Sequence, residues 1–73
     1  MSKRPQISGR ECVRAFEKAG FYTTRQTGGH IIMRLDNPYA RLVIPNHKAL
    51  KKGMLRAIIS DSGLSVDEFL GLL

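Results

Sequence analysis

Hydrophobic positions recur at helical spacing near both ends of the chain and alternate in the middle. Near the start, one helix face would carry the apolar residues Cys12, Val13, Phe16 and Ala19. Ser8 and Glu11 precede this stripe at the spacing of a capping box, and Gly20 follows it as a C-terminal cap. The pattern therefore predicts a first helix between Ser8 and Gly20. It also makes Cys12 a core residue rather than a nucleophile.

Three short extended segments follow this helix and predict an antiparallel sheet. They are rich in aromatic and β-branched residues, are separated by turn residues, and cover residues 21–26, 30–35 and 41–44. Pairing Leu35 with Ala40 across the second turn places Met33 opposite Leu42. That register brings the clean apolar positions to one face, as a sheet covered on a single side requires.

The same register predicts what the opposite face carries. Arg34 falls opposite Arg41, and like charges directly across two strands are mildly destabilising. We interpret this pair as a surface for nucleic acid or for an acidic partner. His30 falls opposite Pro45, at the sheet end where His47 leaves the third strand.

The last stretch of the chain is predicted to be helical. Its apolar positions at helical spacing are Met54, Leu55, Ile58 and Ile59, and Gly63 ends the helix. A second capping box, Ser65 to Glu68, opens a short final helix through Phe69, Leu70 and Leu73. The prediction is a single α+β domain over residues 1–73, of order α-β-β-β-α with a short extra C-terminal helix. Both main helices would pack on one face of the three-stranded antiparallel sheet.

Composition adds a bias toward polyanions. The 73 residues carry a net charge of +6, and all 12 Lys and Arg lie in residues 1–56. A small basic body of this kind favours nucleic acid as a partner. The single cysteine excludes an intrachain disulfide and a cysteine-based zinc site. No apolar run approaches the length of a membrane span or a signal peptide, so we expect a cytoplasmic protein without a membrane partner.

The two histidines are the only candidates for catalysis. Too few acids lie near them for a metal site, so we expect neither a metal ion nor a small-molecule cofactor. RNA strand cleavage suits them, because the 2′-hydroxyl of the substrate is the nucleophile and the protein supplies an acid or base and cations. His30 is the candidate catalytic residue and His47 a candidate auxiliary. The alternative is that both are ordinary polar surface residues.

Three lysines lie just before or at the start of the second main helix: Lys48, Lys51 and Lys52. Positive charge there opposes the helix dipole unless an anion is bound. We interpret them as phosphate-binding residues, and the alternative is a solvated basic surface.

With these elements placed, nearly the full chain resembles the HicA family of toxins. The most specific segments are residues 20–21 and 25–30, supported by residues 45–48, 52–58 and 63–65. The resemblance implies a fold like that of a double-stranded-RNA-binding domain, mRNA cleavage without the ribosome, and a HicB-like antitoxin that masks the active site. The family's catalytic histidine, in a Gly-Ser-His motif, corresponds to His30. This chain has Gly29 where the family usually has serine, which puts catalytic efficiency in doubt.

Three functions remain open at this point. The leading hypothesis is an endoribonuclease toxin with His30 as general acid or base. The second is a binding module of the same fold that holds double-stranded RNA without cutting it. The third is an inactive family member that survives as a partner protein.

Overall fold

The chain forms helices and strands in the predicted order. In the computed structural model, which describes residues 6–73, the elements are α1 (Gly9–Lys18), β1 (Tyr22–Gln26), β2 (His30–Asp36), β3 (Tyr39–Pro45), α2 (Lys52–Ser62) and α3 (Val66–Leu70). The strands pair antiparallel in the order β1-β2-β3. The predicted α+β fold is therefore confirmed.

The register of β2 against β3 is the one that the apolar pattern predicts. Met33 pairs with Leu42, and Leu35 pairs with Ala40. Both strands are longer than predicted, because the ladder continues to the pair Asp36 and Tyr39 beside the turn. In β1 the register shifts between Thr23 and Arg25, and all five side chains of that strand are exposed.

A single core lies between the helices and one face of the sheet. It contains the buried residues Ile7, Cys12, Ala15, Phe16, Phe21, Ile31, Met33, Leu42, Ile44, Leu50, Ile58, Ile59 and Phe69. Phe16 is its aromatic centre, with ring centroids 5.4 Å from Phe21 and 5.1 Å from Phe69. Cys12 is fully buried, and this burial raises the pKa of its thiol to about 12. A thiol in that environment stays protonated, which agrees with a packing role.

Both predicted capping boxes are present. The Glu11 N–H donates to Ser8 Oγ at 3.1 Å, and the Ser8 N–H donates to Glu11 Oε1 at 3.0 Å. Ser65 and Glu68 make the equivalent pair at 3.0 and 2.8 Å. These bonds satisfy amides that have no partner within the helix, and so they fix where α1 and α3 begin.

Three apolar residues lie outside the core, contrary to the prediction. Met54 is 46% exposed, Leu70 52% and Leu73 38%. The first turn of α2 projects past the sheet, so Met54 has little to pack against. The chain turns after Leu70, with the Leu72 N–H bonded to the Phe69 carbonyl oxygen, and this brings Leu72 rather than Leu73 against the core.

Gly9 brings the start of α1 against the end of β3. Its N–H donates to the His47 carbonyl oxygen at 2.9 Å. A Cβ atom at this position would overlap the Pro45 carbonyl oxygen, which belongs to the backbone. Only glycine permits this approach. The requirement follows from tertiary packing, and the helical pattern did not reveal it.

Candidate functional site

His30 begins β2 and is exposed. Its backbone closes a tight turn with Thr27, whose N–H donates to the His30 carbonyl oxygen at 2.9 Å. The His30 N–H in turn donates to Thr27 Oγ1 at 3.2 Å. Because neighbouring Ile31 points into the core and side chains alternate along a strand, the His30 imidazole leaves on the open face of the sheet. The turn thus fixes the backbone of His30 and leaves its ring free to meet a ligand.

The two glycines before His30 are not required by the backbone. Neither Gly28 nor Gly29 has a positive φ. A Cβ atom built on either residue meets no atom within 4 Å. The serine that the family usually has at position 29 would therefore fit this turn without displacing anything.

His47 lies at the same end of the sheet, beyond β3. The Asn46 N–H donates to the Gly29 carbonyl oxygen at 3.0 Å, which ties this segment to the turn before His30. The exposed His47 lines a pocket of about 260 Å³ together with Leu50, Lys51 and Met54. No hydrogen bond joins the imidazoles of His30 and His47. The structure brings the two backbones together as predicted but shows no contact between the two rings.

The predicted basic segment leads into α2. Lys48, Lys51 and Lys52 are all exposed, and α2 begins at Lys52. Buried Leu50 anchors the segment, with its N–H bonded to the Ile7 carbonyl oxygen at 2.8 Å. Lys51 is the N-cap and offers no side-chain bond, and the first turn of α2 contains no acid. The lysine charges therefore stand beside amides that no side chain caps.

The two arginines of the open face differ in their surroundings. Arg34 Nε donates to Tyr22 Oη at 2.8 Å and lies 2.9 Å from Asp36 Oδ1. The Tyr22 hydroxyl also donates to Asp36, at 2.8 Å. The bond to Tyr22 and the charge of Asp36 both raise the pKa of Arg34. Arg41, opposite Arg34, is exposed and has no hydrogen bond or ion pair within residues 6–73.

The sequence gave no sign of the arginine's partners, because the register of β1 was not predicted. Tyr22 faces Arg34 across the strands, and its ring lies 5.5 Å from the guanidinium carbon. Asp36 was assigned to a turn, whereas it ends β2 two residues after Arg34. On the open face, Arg41 is consequently the arginine more available to a partner.

A cleft between α1 and β1 was also not predicted. It has a volume of about 180 Å³, and Ile31 lies at its base. Its polar lining consists of Arg10, Arg14, Glu17, Thr23 and Gln26. The cleft exists because α1 packs mainly against β3 and leaves the inner side of β1 uncovered.

Two other features bear on the kind of site. Within residues 6–73, no three His, Cys, Asp or Glu side chains are grouped closely enough to hold a metal ion. In the same part of the chain, no helix combines the length and the apolar character needed to cross a membrane.

Comparison with known proteins places these features in a family. A search of curated proteins found no match. The family model described as "HicA toxin of bacterial toxin-antitoxin" matches residues 9–64, from the start of α1 to just beyond α2. The matched part is more than half of the chain, and it contains both histidines, the three lysines and the whole sheet. The chain therefore belongs to the HicA family, the toxins of bacterial toxin–antitoxin systems.

Proposed function

We propose that this toxin is a metal-independent endoribonuclease that cleaves mRNA, with His30 as its general acid or base. The observation that carries the proposal is the exposed imidazole of His30, on a backbone that is bonded to Thr27 on both sides. An imidazole accepts and releases protons near neutral pH, so it suits either role.

The reaction needs little from the protein. The 2′-oxygen of a nucleotide attacks the adjacent phosphorus, and the bond from phosphorus to the 5′-oxygen of the next nucleotide breaks. A base removes the proton of the 2′-hydroxyl, and an acid protonates the departing 5′-oxygen. The products are a 2′,3′-cyclic phosphate and a 5′-hydroxyl. No metal ion is required, because the substrate brings its own nucleophile.

Lysine side chains would neutralise the phosphate in this reaction. Lys48, Lys51 and Lys52 lie in the segment that leaves the His30 end of the sheet, and α2 directs its uncapped amides to the same region. Positive charge close to the phosphate stabilises the extra negative charge of the transition state. Arg34 and Arg41 would hold RNA further along the open face, with Arg41 the stronger contributor because Asp36 already pairs with Arg34.

His47 is proposed as an auxiliary. It lines a pocket with Lys51, and no bond connects it to His30. This position favours contact with the phosphate or the leaving nucleotide over direct proton exchange with His30. The effect of removing His47 should therefore be smaller than that of removing His30.

A HicB-like antitoxin is the proposed protein partner. The open face offers half-buried Ile32, exposed Val43 and the positive charge of Arg41. An acidic antitoxin that covered this face would also cover His30, which projects from the same side. Masking the active site would then require no change in the toxin's fold.

The decisive experiment compares RNA cleavage by the wild type, His30→Ala and His47→Ala, with EDTA present. We expect His30→Ala to lose cleavage while it keeps RNA binding and melting temperature, and His47→Ala to keep part of the activity. The cleaved ends should carry a 2′,3′-cyclic phosphate and a 5′-hydroxyl. Lys18→Ala, an exposed change at the far end of α1, serves as the control with full activity.

The alternatives give different results in the same assay. If the wild type binds double-stranded RNA but leaves single-stranded RNA intact with or without EDTA, the binding module is correct and the nuclease is not. If it neither binds nor cuts RNA yet still binds an antitoxin, it is an inactive family member. Full cleavage by His30→Ala would exclude His30 as the acid or base.

A further inference from the structure

The cleft between α1 and β1 has charge of opposite sign at its two ends. Arg10 and Arg14 lie in the first two turns of α1, and Glu17 lies near its end. Gly9, next to Arg10, is bonded to His47 at the end of the sheet where His30 pairs with Pro45. The arginines therefore occupy the end of the cleft near His30, and Glu17 the distant end.

The cleft also leads directly to the turn that carries His30. Gln26 lines it and is the strand partner of Ile31, the residue after His30. With strands about 5 Å apart and a rise of about 3.3 Å per residue, the Cα atoms of Gln26 and His30 are roughly 6 Å apart. A chain bound in the cleft would reach His30 by passing around this turn.

The two arginines have no structural role that would account for them. Both are exposed, and neither has a hydrogen bond or ion pair within residues 6–73. Arg10 lies in the first turn of α1, where positive charge opposes the helix dipole. An anionic ligand between Arg10, Arg14 and the side chain of Gln26 would turn this unfavourable arrangement into a binding site.

We propose that the cleft is a nucleotide subsite for single-stranded RNA, adjacent to the cleaved phosphate. Arg10 and Arg14 bind a backbone phosphate, and Thr23 and Gln26 offer hydrogen bonds to the ribose or the base. Glu17 repels phosphate from the distant end and so fixes which part of the cleft the phosphate occupies. The proposal rests on the proposed function for its substrate class and assigns to α1 a part in holding that substrate.

The test measures binding to a short single-stranded 2′-O-methyl RNA of mixed sequence. This probe has no free 2′-hydroxyl and cannot be cut, so its binding is independent of catalysis by His30. We expect the double variant Arg10→Ala/Arg14→Ala to bind about tenfold or more weakly, since each charge-assisted bond is a strong one. Its slope of log K against log salt should fall by about 1.4, which is 0.7 for each lost phosphate contact on a single strand.

The control is a double variant with the same change in net charge. Lys18→Ala/Arg56→Ala removes two exposed cations outside the cleft, and its binding and salt slope should stay close to those of the wild type. Gln26→Ala, which changes no charge, should weaken binding about threefold, the effect of one hydrogen bond. Glu17→Gln should tighten binding about twofold, because it removes the repulsion.

The outcomes separate this proposal from the proposed function. Equal weakening by the two double variants would overturn the subsite, because only net charge would then matter. Loss of binding in the arginine variant alone supports the subsite even if the wild type cuts no RNA. Normal cleavage by a variant that fails to bind through the cleft would overturn the subsite and leave the nuclease intact. Melting temperatures exclude misfolding, and Arg10→Ala should not lower them.

Discussion

Replacing Gly9 with alanine tests the contact that joins α1 to the candidate site. The new methyl group would meet the Pro45 carbonyl oxygen, and the displacement would break the bond from the Gly9 N–H to His47, now 2.9 Å long. Overpacking a close contact costs about 1–3 kcal/mol, and the lost hydrogen bond about 1 kcal/mol. Alanine recovers about 0.5–1 kcal/mol through its better helix propensity. The net loss of unfolding free energy should be about 1–3 kcal/mol.

Urea and thermal unfolding measure this loss. For a domain of this size each kcal/mol corresponds to about 4–8 °C, so the melting temperature should fall by about 5–20 °C. Gly53→Ala is the matched control, because Gly53 also lies in the first turn of a helix and its Cβ would meet nothing within 4 Å. That variant should be as stable as the wild type or more so. An unchanged urea midpoint for Gly9→Ala would refute the close approach of α1 to β3.

Three further changes follow from the structure. Gly29→Ser should leave the unfolding free energy within about 0.5 kcal/mol, because the turn has room for the side chain, and RNA cleavage should stay at or above the wild-type rate; a larger loss in the urea midpoint would contradict the open turn. Ser62→Ala should lose about 1–2 kcal/mol, because buried Ser62 Oγ accepts from the Leu64 N–H at 3.1 Å, and urea unfolding beside exposed Ser60→Ala measures it. Burial raises the pKa of Cys12 from 9.0 to about 12, so folding favours its protonated form: this stabilisation is complete below pH 9 and is lost as the pH rises from 9 toward 12. Cys12→Ala should flatten that alkaline loss in a pH series of unfolding curves, and an equal slope in both proteins would exclude Cys12 as its source.

The register of the main hairpin could be predicted because each wrong register has a visible cost. Shifting β2 by one residue against β3 would turn Ile31 and Met33 toward solvent and His30 and Arg34 into the core. The helix starts were equally accessible, since Ser8 with Glu11 forms a local motif that depends on no distant contact. These local signals fixed the fold and placed His30 at the end of the sheet.

Features that depend on long-range contacts were beyond the sequence. The approach of Gly9 to Pro45 arises only once α1 rests on β3, and the sequence between them contains no sign of it. The irregular register of β1 hid the bond between Tyr22 and Arg34. Met54 fitted the apolar repeat of α2, but helical spacing cannot tell where the sheet beneath a helix ends. The α1–β1 cleft escaped notice for the same reason, because it is defined by what α1 fails to cover.

Backbone bonds, rather than side chains, hold together the end of the sheet that carries both histidines. The Asn46 N–H bonds Gly29, the Gly9 N–H bonds His47, and the Thr27 N–H bonds His30. Neither imidazole contributes a hydrogen bond to the fold, and both are exposed. Replacing either ring should therefore change stability by no more than about 0.5 kcal/mol, the usual effect of a surface substitution. Because of this separation, loss of activity in a histidine variant can be assigned to lost chemistry. The same framework lets α1 bring Arg10 to the site through Gly9, so binding and cleavage can be altered independently in one small domain.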